Sequence, residues 1–370
     1  MRAATGDVTC YADPREWPAD VQALVEQEQA RNMQAGALWY RNLIDTVFTG
    51  DGTQHFHVLR QGGQAVAMLA LRVPPAARGQ IESLSNFYTC LYSPVFREGL
   101  AATELVPLID SIVRAHAPLA SLRLAPMDPA SASHGLLMEA CRAAGLRPFG
   151  FFSFGNWFLP VEQDWPTYLK AREGVVRSTI KRMGKRFATE NGTLEIITGG
   201  ERLAAGLAAY EQVYAASWKN AEPFPAFMPG LIKLCAEQGW LRLGVAWLDG
   251  HAIAAQVWMV ANGRAEIYKL AYDEAFKSYS PGTLLTALLM AHVFEQDRVA
   301  EVDYLIGDDP YKKAWMTQRR ERWGIIAYNP GTLAGRLGFW REGLSRRAKP
   351  WLSRVAEYRR SRVQPVGGPT

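Results

Sequence analysis

Two segments of the chain share a pattern in which a Gly-containing turn separates two apolar runs. Residues 60–67 read Arg60-Gln-Gly-Gly-Gln-Ala-Val-Ala, and residues 248–254 read Leu248-Asp-Gly-His-Ala-Ile-Ala. Gln-Gly-Gly and Asp-Gly are hairpin turn signals, because Gly supplies the positive φ that such turns require. Each segment therefore predicts a β-hairpin, and the match between the two indicates an internal repeat.

The elements predicted around each hairpin follow the same order. In the first half the pattern predicts strands near 55–60, 64–73, 81–90, 119–125 and 149–159, with helices near 103–116 and 133–144. In the second half it predicts strands near 240–248, 252–261, 265–272, 300–306 and 322–328, with helices near 281–296 and 309–316. Antiparallel hairpins followed by a βαβ unit indicate an α/β fold with a sheet of mixed direction. We therefore expect two copies of one architecture, in residues 1–160 and 161–330.

Two further amphipathic patterns lie outside the repeated elements. Residues 172–190 combine an apolar stripe at helical spacing with a basic face, and Asn191-Gly192 is a helix stop. Residues 331–370 predict a basic helical tail that ends in a disordered, Pro- and Gly-rich segment. The tail has two apolar stripes, which comprise Leu333, Leu337, Trp340 and Leu344 and then Trp351, Val355 and Tyr358.

Composition fits a folded protein with two domains. The 370 residues exceed one ordinary core, and 48% of them are hydrophobic while 21% are charged. The four cysteines form no CxxC pair. The sequence contains neither a signal-peptide core nor an apolar stretch of about 20 residues. These features predict a reduced, cytoplasmic protein.

Positive charge is concentrated at the carboxyl end. From Gly331 onward nine Arg or Lys residues face two Glu residues, a local balance of +7. Since the whole chain carries +5, the preceding 330 residues carry −2 by subtraction. Arginines that accompany Trp340 and Trp351 are typical of helices at a membrane interface. The tail therefore predicts a peripheral contact with an anionic membrane surface, at the inner face of the membrane.

A phosphate-site pattern follows the third strand of the second half. Tyr279-Ser-Pro-Gly-Thr joins that strand to the predicted helix 281–296. The first N–H groups of a helix are unpaired and its dipole favours negative charge, so a helix start is a natural anion site. Ser280 stands at the N-cap, Pro281 at the first helical position, and Gly282 lets a ligand approach the backbone. The loop by itself is also compatible with an ordinary capped helix.

The wider segment resembles the GNAT superfamily of acyl-CoA N-acyltransferases, most closely its FemAB-like branch, known also as cellulose-biosynthesis (CelD-like) acetyltransferases. Members of that branch carry an SPG loop followed by a D…GD-x-PYK…W segment. This chain has Ser280-Pro-Gly and then Asp303-Tyr-Leu-Ile-Gly-Asp-Asp-Pro-Tyr-Lys-Lys-Ala-Trp. The resemblance implies two tandem GNAT-like domains, the second of which binds acetyl-CoA or another acyl-CoA.

The resemblance also implies which residues bind the cofactor. The strand backbone at Leu270, Ala271 and Tyr272 would hydrogen-bond the pantetheine arm, and the loop from Ser280 to Thr283 would hold the pyrophosphate. Against the superfamily's R/Q-x-x-G-x-G/A pattern, Lys277 stands at the Arg/Gln position, Ser280 at the first Gly and Gly282 at the second. The predicted cofactor residues are Leu270, Ala271, Tyr272, Lys277, Tyr279, Ser280, Gly282 and Thr283.

The predicted catalytic residues lie near the start of the second helix. Tyr311 occupies the place of the tyrosine that protonates the departing thiolate in this superfamily, and a phenol is a neutral donor at pH 7. Asp308 is the first candidate for the base that deprotonates the amine, and Asp303 is the second. Glu266 and Asp273 come third. Each carboxylate is also compatible with a purely structural role.

Other residues complete the predicted site. Trp218, Lys219 and Lys312 are candidates for binding the acceptor, since an aromatic rim suits a sugar or peptide. The first half has Tyr92-Ser-Pro-Val in place of the Gly loop, so we expect it not to bind CoA. His55 and His57 share one strand face, but no partner at ligand spacing accompanies them, so no metal is predicted.

Three functions remain open at this stage. The first is an N-acyltransferase acting on an amine of an amino sugar or a cell-envelope or exopolysaccharide precursor. The second is a FemAB-type transferase that uses aminoacyl-tRNA as its donor and binds the RNA through the basic helix 172–190. Nucleic acid is not the partner favoured here. The third is a non-catalytic regulatory partner of polysaccharide synthesis. A salt-sensitive complex with tRNA would argue for the second function and against CoA. Release of CoA in the presence of an amine discriminates the third function from the others.

Overall fold

The computed structural model describes residues 7–50, 52–75, 77 and 79–346, whose strands form one mixed sheet of 13 strands. In chain order the strands are β1 (Asp7–Tyr11), β2 (Gln54–Gln61), β3 (Gln64–Arg72), β4 (Gln80–Ser83), β5 (Val95–Phe96), β6 (Ser121–Met127), β7 (Arg147–Pro160), β8 (Gly192–Ile197), β9 (Leu241–Leu248), β10 (His251–Ala261), β11 (Arg264–Tyr272), β12 (Glu301–Asp303) and β13 (Gln318–Tyr328).

Helices pack on this sheet and connect its strands. In chain order they are α1 (Ala19–Gln29), α2 (Ala37–Thr46), α3 (Val106–Ala115), α4 (Ala132–Ala143), α5 (Trp165–Lys170), α6 (Gly174–Thr189), α7 (Leu203–Ala215), α8 (Phe227–Glu237), α9 (Pro281–Glu295), α10 (Pro310–Trp315) and α11 (333–346). The mixed α/β fold is therefore confirmed. The second stripe of the tail and its Pro- and Gly-rich end lie outside the described residues.

Both predicted hairpins are present, and their turns have the required backbone. Gly62 and Gly63 join β2 to β3 with φ values of 57° and 80°, and Asp249 and Gly250 join β9 to β10 with 47° and 79°. Two successive positive φ angles are typical of the tight turns that match the twist of paired strands. Only Gly adopts such angles without steric cost, which explains the sequence signal.

The order of strands in the sheet confirms the repeat. It also shows that the two halves exchange their last strands, which the sequence did not reveal. The order is β1-β2-β3-β4-β6-β13-β7-β12-β11-β10-β9-β8, which reads as two matching halves that meet at a central pair. The last strand of each half pairs with the other half: β13 lies beside β6, and β7 lies beside β12. Strands β7 and β13 then pair antiparallel from Arg147 to Phe158. Domain boundaries at residues 160 and 330 stay a prediction.

The strands predicted at 81–90 and 300–306 are much shorter in the structure, and the second shortening opens the sheet. β12 pairs with β11 in parallel over only three residues, with Asp303 opposite Glu266. Beyond that point the chain follows β7 instead, as Tyr304 N–H donates to Trp157 O at 2.9 Å and Gly307 N–H donates to Gly155 O at 3.0 Å. Among the described residues, the edge of β11 from Ile267 onward therefore has no strand partner on its β12 side.

Asp303 fixes the point at which β11 and β12 separate. Its carboxylate is buried and accepts hydrogen bonds from Asn156 Nδ2 at 2.5 Å and from the Leu305 amide at 2.7 Å. It also pairs with Arg320 of β13, whose guanidinium makes further hydrogen bonds to Glu301. One carboxylate thus joins β7, β12 and β13, and charged groups this deep are stable only when they are paired in this way.

We predict that Asp303→Ala destabilises the fold by about 3–5 kcal/mol, because it leaves the Arg320 charge partly unpaired in the sheet. Asp308→Ala is the matched control. It removes a half-exposed carboxylate that pairs with Arg319 and should cost about 1 kcal/mol or less. Urea denaturation of both variants measures the difference. Equal free energies of unfolding for the two variants would contradict the structural role of Asp303.

Candidate functional site

Two adjoining pockets lie where β11 and β12 separate. The first, which we call the α9 pocket, has a volume of about 390 Å³ and is bounded by the end of β11 and the start of α9. The second, which we call the lysine pocket, has a volume of about 290 Å³ and is lined by Lys219, Lys269 and Lys312. Leu270, Tyr304 and Tyr311 line both pockets. A ligand that fills the α9 pocket therefore meets a ligand in the lysine pocket at these three side chains.

Most of the predicted cofactor residues meet in the α9 pocket. Its lining includes Leu270, Tyr272, Lys277, Ser280, Gly282 and Thr283. Two of the predicted residues do not line it. Ala271 is buried, and Tyr279 donates a hydrogen bond to Glu190 beneath the guanidinium of Arg186, which lies 4.3 Å from its ring centre. Tyr279 therefore fastens the loop to α6.

The start of α9 differs from the predicted capped helix. Ser280 is the N-cap residue of α9, as predicted, but it adopts a left-handed conformation with φ of 52° and its side chain makes no capping hydrogen bond. The amides of Ser280 and Thr283 already donate to Lys277 O and Ser280 O, both at 3.0 Å. Pro281 has no N–H. Among the described residues, the Gly282 amide has no acceptor and is the free donor of this turn.

Gln256, which the sequence did not single out, fixes this turn to the sheet. Its side-chain Nε2 donates to Gly282 O and to Thr286 Oγ1, both at 2.9 Å. Trp258 Nε1 in turn donates to Gln256 Oε1 at 2.9 Å, so the amide orientation is determined. A polar side chain buried inside an apolar strand gives no local signal of such a role.

A side chain at position 282 would fit the protein itself. A Cβ on Gly282 would meet only Tyr272, at an ordinary contact distance of 3.6 Å, and Gly282 does not require positive φ. Neither packing nor backbone conformation therefore demands Gly here. The absence of a side chain at Gly282 leaves its backbone open to close approach by a ligand.

Tyr311 lies at the junction of the two pockets. Its side chain is 46% exposed, and its ring packs edge-on against Tyr304 with 5.7 Å between ring centres. Burial, together with the neighbouring Asp309 carboxylate, raises the pKa of the Tyr311 phenol, so it stays protonated at neutral pH. A protonated phenol beside both pockets is a proton donor in position.

Neither leading candidate for the base lines these pockets. Asp308 accepts two hydrogen bonds from Arg319, at 2.6 and 2.8 Å, and this pairing lowers the pKa of its carboxyl group. Asp303 is buried in the strand junction described above. Asp273 caps the turn at 274–279 through the Ala275 amide at 2.9 Å. The structure therefore assigns structural contacts to all three.

Two other carboxylates stand beside the lysine pocket. Glu222 accepts from Lys269 Nζ at 2.7 Å and from the Tyr88 hydroxyl at 2.5 Å. Burial opposes ionisation of Glu222, but these hydrogen bonds lower its pKa overall. Asp309 lines the lysine pocket with a side chain that is 57% exposed. Tyr88 belongs to the first half of the chain, so this contact could not be found from local spacing.

The three predicted acceptor residues lie around the same junction. Trp218 lines the α9 pocket and packs on Tyr272 with 4.6 Å between ring centres. Lys219 and Lys312 line the lysine pocket. Lys312 is buried; its ammonium donates to the Tyr304 and Ile306 carbonyls and pairs with Asp309 at 3.5 Å.

The two histidines of β2 have partners that the sequence spacing did not show. His57 Nε2 lies 3.0 Å from His116 Nε2, and Cys10 Sγ lies 3.9 Å from His55 Nδ1. Burial and the neighbouring imidazoles lower the pKa of His57 to about 3, so it is neutral. Within the described part of the chain, no group of three or more such side chains has the arrangement of a metal site.

Comparisons with known proteins give one match to a family model and several matches of fold. Residues 174–313 match the family model described as an acetyltransferase (GNAT) domain. No curated protein matches the chain. The structure of FemX is similar with a TM-score of 0.59 at 12% identity, over 87% of this chain and 97% of that one.

Two further solved structures share the fold. The C-terminal domain of a putative lysylphosphatidylglycerol synthetase from Agrobacterium fabrum aligns with a TM-score of 0.52 at 17% identity, over 85% of this chain and 93% of that one. A tandem GNAT protein from the clavulanic acid biosynthesis pathway aligns with a TM-score of 0.50 at 14% identity, over 88% and 99%. These likenesses show the tandem fold.

Among the described residues, no helix is long and apolar enough to cross a membrane.

Glu266, a third-rank candidate for the base, is buried opposite Asp303, and its Oε2 has no hydrogen-bond partner. Burial raises its pKa to about 7 from an ordinary 4.5. Since the folded state then binds more protons than the unfolded state, we predict that stability falls as pH rises from about 4.5 to 7. Relative to Glu266→Gln, the wild-type protein should lose up to about 3 kcal/mol over this range.

Denaturant unfolding of the wild type, Glu266→Gln and the exposed control Glu274→Gln at pH 5 and pH 8 measures this effect. The control should follow the wild type at both pH values. A wild-type stability that changes with pH in parallel with Glu266→Gln would show that Glu266 ionises normally in the fold.

Proposed function

We propose that the protein is an acyl-CoA-dependent N-acyltransferase of the GNAT superfamily, because residues 174–313 match the family model of a GNAT acetyltransferase domain. The observation that carries the proposal is the position of Tyr311, a protonated phenol shared by two adjoining pockets. One pocket adjoins a helix start with a free amide, as a nucleotide donor requires. The other is lined by polar side chains, as a small acceptor requires.

In this proposal the α9 pocket binds the acyl donor, which we take to be acetyl-CoA. The free Gly282 amide, the α9 dipole and Lys277 attract its phosphates. The unpartnered edge of β11 offers backbone groups to the pantetheine amides, as a missing strand would. The donor supplies an activated thioester. Binding to the α9 turn and the β11 edge places that thioester beside Tyr311, where the two pockets meet.

The chemistry needs one nucleophile and one proton donor. The amine nitrogen attacks the thioester carbonyl carbon, the C–S bond breaks, and the leaving sulfur takes the proton of the Tyr311 hydroxyl. The amine loses one proton in forming the amide. We assign Asp309 to orient the amine and receive that proton, because Asp309 lines the lysine pocket, whereas Asp308 and Asp303 do not. The deprotonated Tyr311 then recovers its proton from solvent.

We propose an amine of an amino sugar or a cell-envelope or exopolysaccharide precursor as the acceptor. A third cleft, of about 610 Å³, shares Phe87 and Ile306 with the lysine pocket and extends along the first half. Phe87 and Phe152, which line this cleft, are 54% and 49% exposed. Exposed aromatic faces suit the apolar faces of sugar rings, so the cleft supports an acceptor longer than one residue.

The two other functions remain as alternatives. The resemblance to the FemAB-like branch supports an aminoacyl-tRNA-fed transferase, and α6 presents basic side chains that suit RNA. The unpartnered β11 edge and the free Gly282 amide favour CoA, because a pantetheine arm and a pyrophosphate need those groups. A non-catalytic role in polysaccharide synthesis needs neither Tyr311 nor the junction of the two pockets.

We also propose that α11 binds an anionic membrane surface at the inner face of the membrane, which would make a cytoplasmic protein peripheral. The side chains of its first apolar stripe are about two-thirds exposed: Leu333, Leu337, Trp340 and Leu344 are 67%, 63%, 64% and 64% exposed. The other side of the helix packs on the sheet through Phe339, whose ring centre lies 5.4 Å from that of Phe149. An apolar stripe with flanking arginines is the arrangement of an interfacial helix.

For acyl transfer, Tyr311→Phe should lower kcat at least about 100-fold while leaving acetyl-CoA affinity unchanged, because the phenol acts only on the leaving thiolate. Gly282→Asp should abolish acetyl-CoA binding, because it places a carboxylate against the phosphates. Gly282→Ala, which the fold accommodates, controls for folding. CoA release and calorimetric titration measure the two effects. Equal loss of binding and turnover in Tyr311→Phe would contradict the assignment.

For membrane binding, the full chain should sediment with vesicles that contain anionic lipid and not with neutral vesicles. Trp340→Glu should weaken sedimentation at least about tenfold, because it removes buried apolar area and adds repulsion. Val175→Glu is the matched control, since Val175 is an exposed apolar residue (72%) on the basic helix α6. Equal loss in both variants would place the contact on α6 or on overall charge instead.

A further inference from the structure

The lysine pocket gathers positive charge from three separate elements. Lys269 comes from β11, Lys312 from α10, and Lys219 from the segment that follows α7. Asp309 is the carboxylate that lines the pocket with them, and Glu222 stands behind Lys269. Such a concentration of ammonium groups around a small volume needs counter-charge, which the protein supplies only in part.

Two of the three lysines are fully engaged by the protein. Lys269 Nζ pairs with Glu222 at 2.7 Å and lies 5.1 Å from the ring centre of Tyr88. Lys312 Nζ donates to two backbone carbonyls and pairs with Asp309. Their positive charges are therefore held in place and are not free to reorganise around a ligand.

Lys219 is different. Within the described part of the chain its ammonium has no hydrogen bond and no ion pair. Its nearest aromatic groups are the rings of Tyr214 and Trp218, whose centres both lie 5.8 Å from Nζ. The side chain is half-buried, so water solvates the charge incompletely. A half-buried cation that faces a pocket would be stabilised by an anion bound in that pocket.

Electrostatics at Lys219 agree with this geometry. Burial and the nearby charges of Lys269 and Lys312 lower the pKa of Lys219 to about 8, against the opposing effects of Glu222 and Asp309. Burial is thus the main reason why the charged form of Lys219 is disfavoured. An anion that binds there favours the charged form of the lysine and raises its pKa again.

We propose that the lysine pocket binds an anionic group of the acceptor, a carboxylate or a phosphate, with the Lys219 ammonium as its counter-charge. This inference rests on the proposed function in placing the acceptor in that pocket. The phosphates of the acyl donor belong on the other side of Tyr311, since Lys219 does not line the α9 pocket and Lys277 does. The acceptor is then an amine that also carries negative charge.

Site-specific labelling tests the anion site without relying on turnover. Competitive acetylation of lysines by acetic anhydride, read by mass spectrometry, measures the reactivity of Lys219 and of Lys277 separately. Inorganic phosphate, added to protein saturated with CoA, should slow labelling of Lys219 at least about tenfold, since a charge-assisted hydrogen bond stabilises the unreactive ammonium. Labelling of Lys277 should not respond to phosphate under these conditions.

Matched acceptors test the substrate class. Glucosamine 6-phosphate and glucosamine differ only in the anionic group, and CoA release measures both. Lys219→Gln should lower kcat/KM for the phosphorylated amine at least about tenfold more than it lowers kcat/KM for glucosamine, and the difference should appear in KM. Lys219→Arg should restore the phosphorylated amine, because arginine keeps the charge but does not act as a base.

Each outcome decides between specific possibilities. Loss of activity in both Lys219→Arg and Lys219→Gln with both amines would make Lys219 a proton acceptor and overturn the anion site. Labelling of Lys219 that ignores phosphate would also overturn it. If phosphate protects Lys219 but no amine releases CoA, the anion site stands and the proposed acyl transfer fails.

Discussion

The buried carboxylate of Asp303 is the contact on which the rest of the site depends. It holds β7, β12 and β13 together at the residue where β12 leaves β11. Parallel strands normally stay paired along their length, so a separation after three residues needs a positive cause. Asn156 and Arg320 supply it by drawing the chain after Asp303 toward β7. The gap that results contains both pockets and exposes the edge of β11.

Because the two halves exchange their last strands, residues from both halves line this gap. β7 comes from the first half, yet it is the strand that the chain follows beyond β12. Phe87 and Tyr88, also from the first half, form a wall of the lysine pocket. Among the described residues of the first half, the segment after Tyr92 is not a helix start like the α9 turn, because Val95–Phe96 is a strand that pairs with β3. In the proposed function, the first half therefore contributes structure and acceptor contacts, and the second half binds the donor.

The sequence predicted what local pattern determines. Turn glycines marked both hairpins, and the order of apolar runs indicated the repeat. Gly282, Lys277 and Tyr311 stand at fixed offsets from helix starts, so a motif could locate them. All three line the predicted pockets.

Long-range contacts could not be predicted in this way. Glu222 and Tyr88 are separated by 134 residues, and only the folded sheet brings them to one lysine. Asp308 was the first candidate for the base because it lies beside Gly307 at a strand end. In the structure its carboxylate is instead paired with Arg319 of β13. The strand exchange that brings β13 there leaves no signature in apolar periodicity. For the same reason Gln256 and Asn156, which fix the two sides of the gap, passed as ordinary strand residues.

We propose that one acyl-CoA lies between β11 and α9 with its thioester at Tyr311, and a crystal structure of the protein with acetyl-CoA is the decisive measurement. It should show one cofactor per chain, with its pyrophosphate at the Gly282 amide and its sulfur within about 3.5 Å of the Tyr311 hydroxyl, the reach of a proton transfer. A cofactor bound elsewhere, such as in the cleft beside Phe152, or a thioester remote from Tyr311, would contradict it.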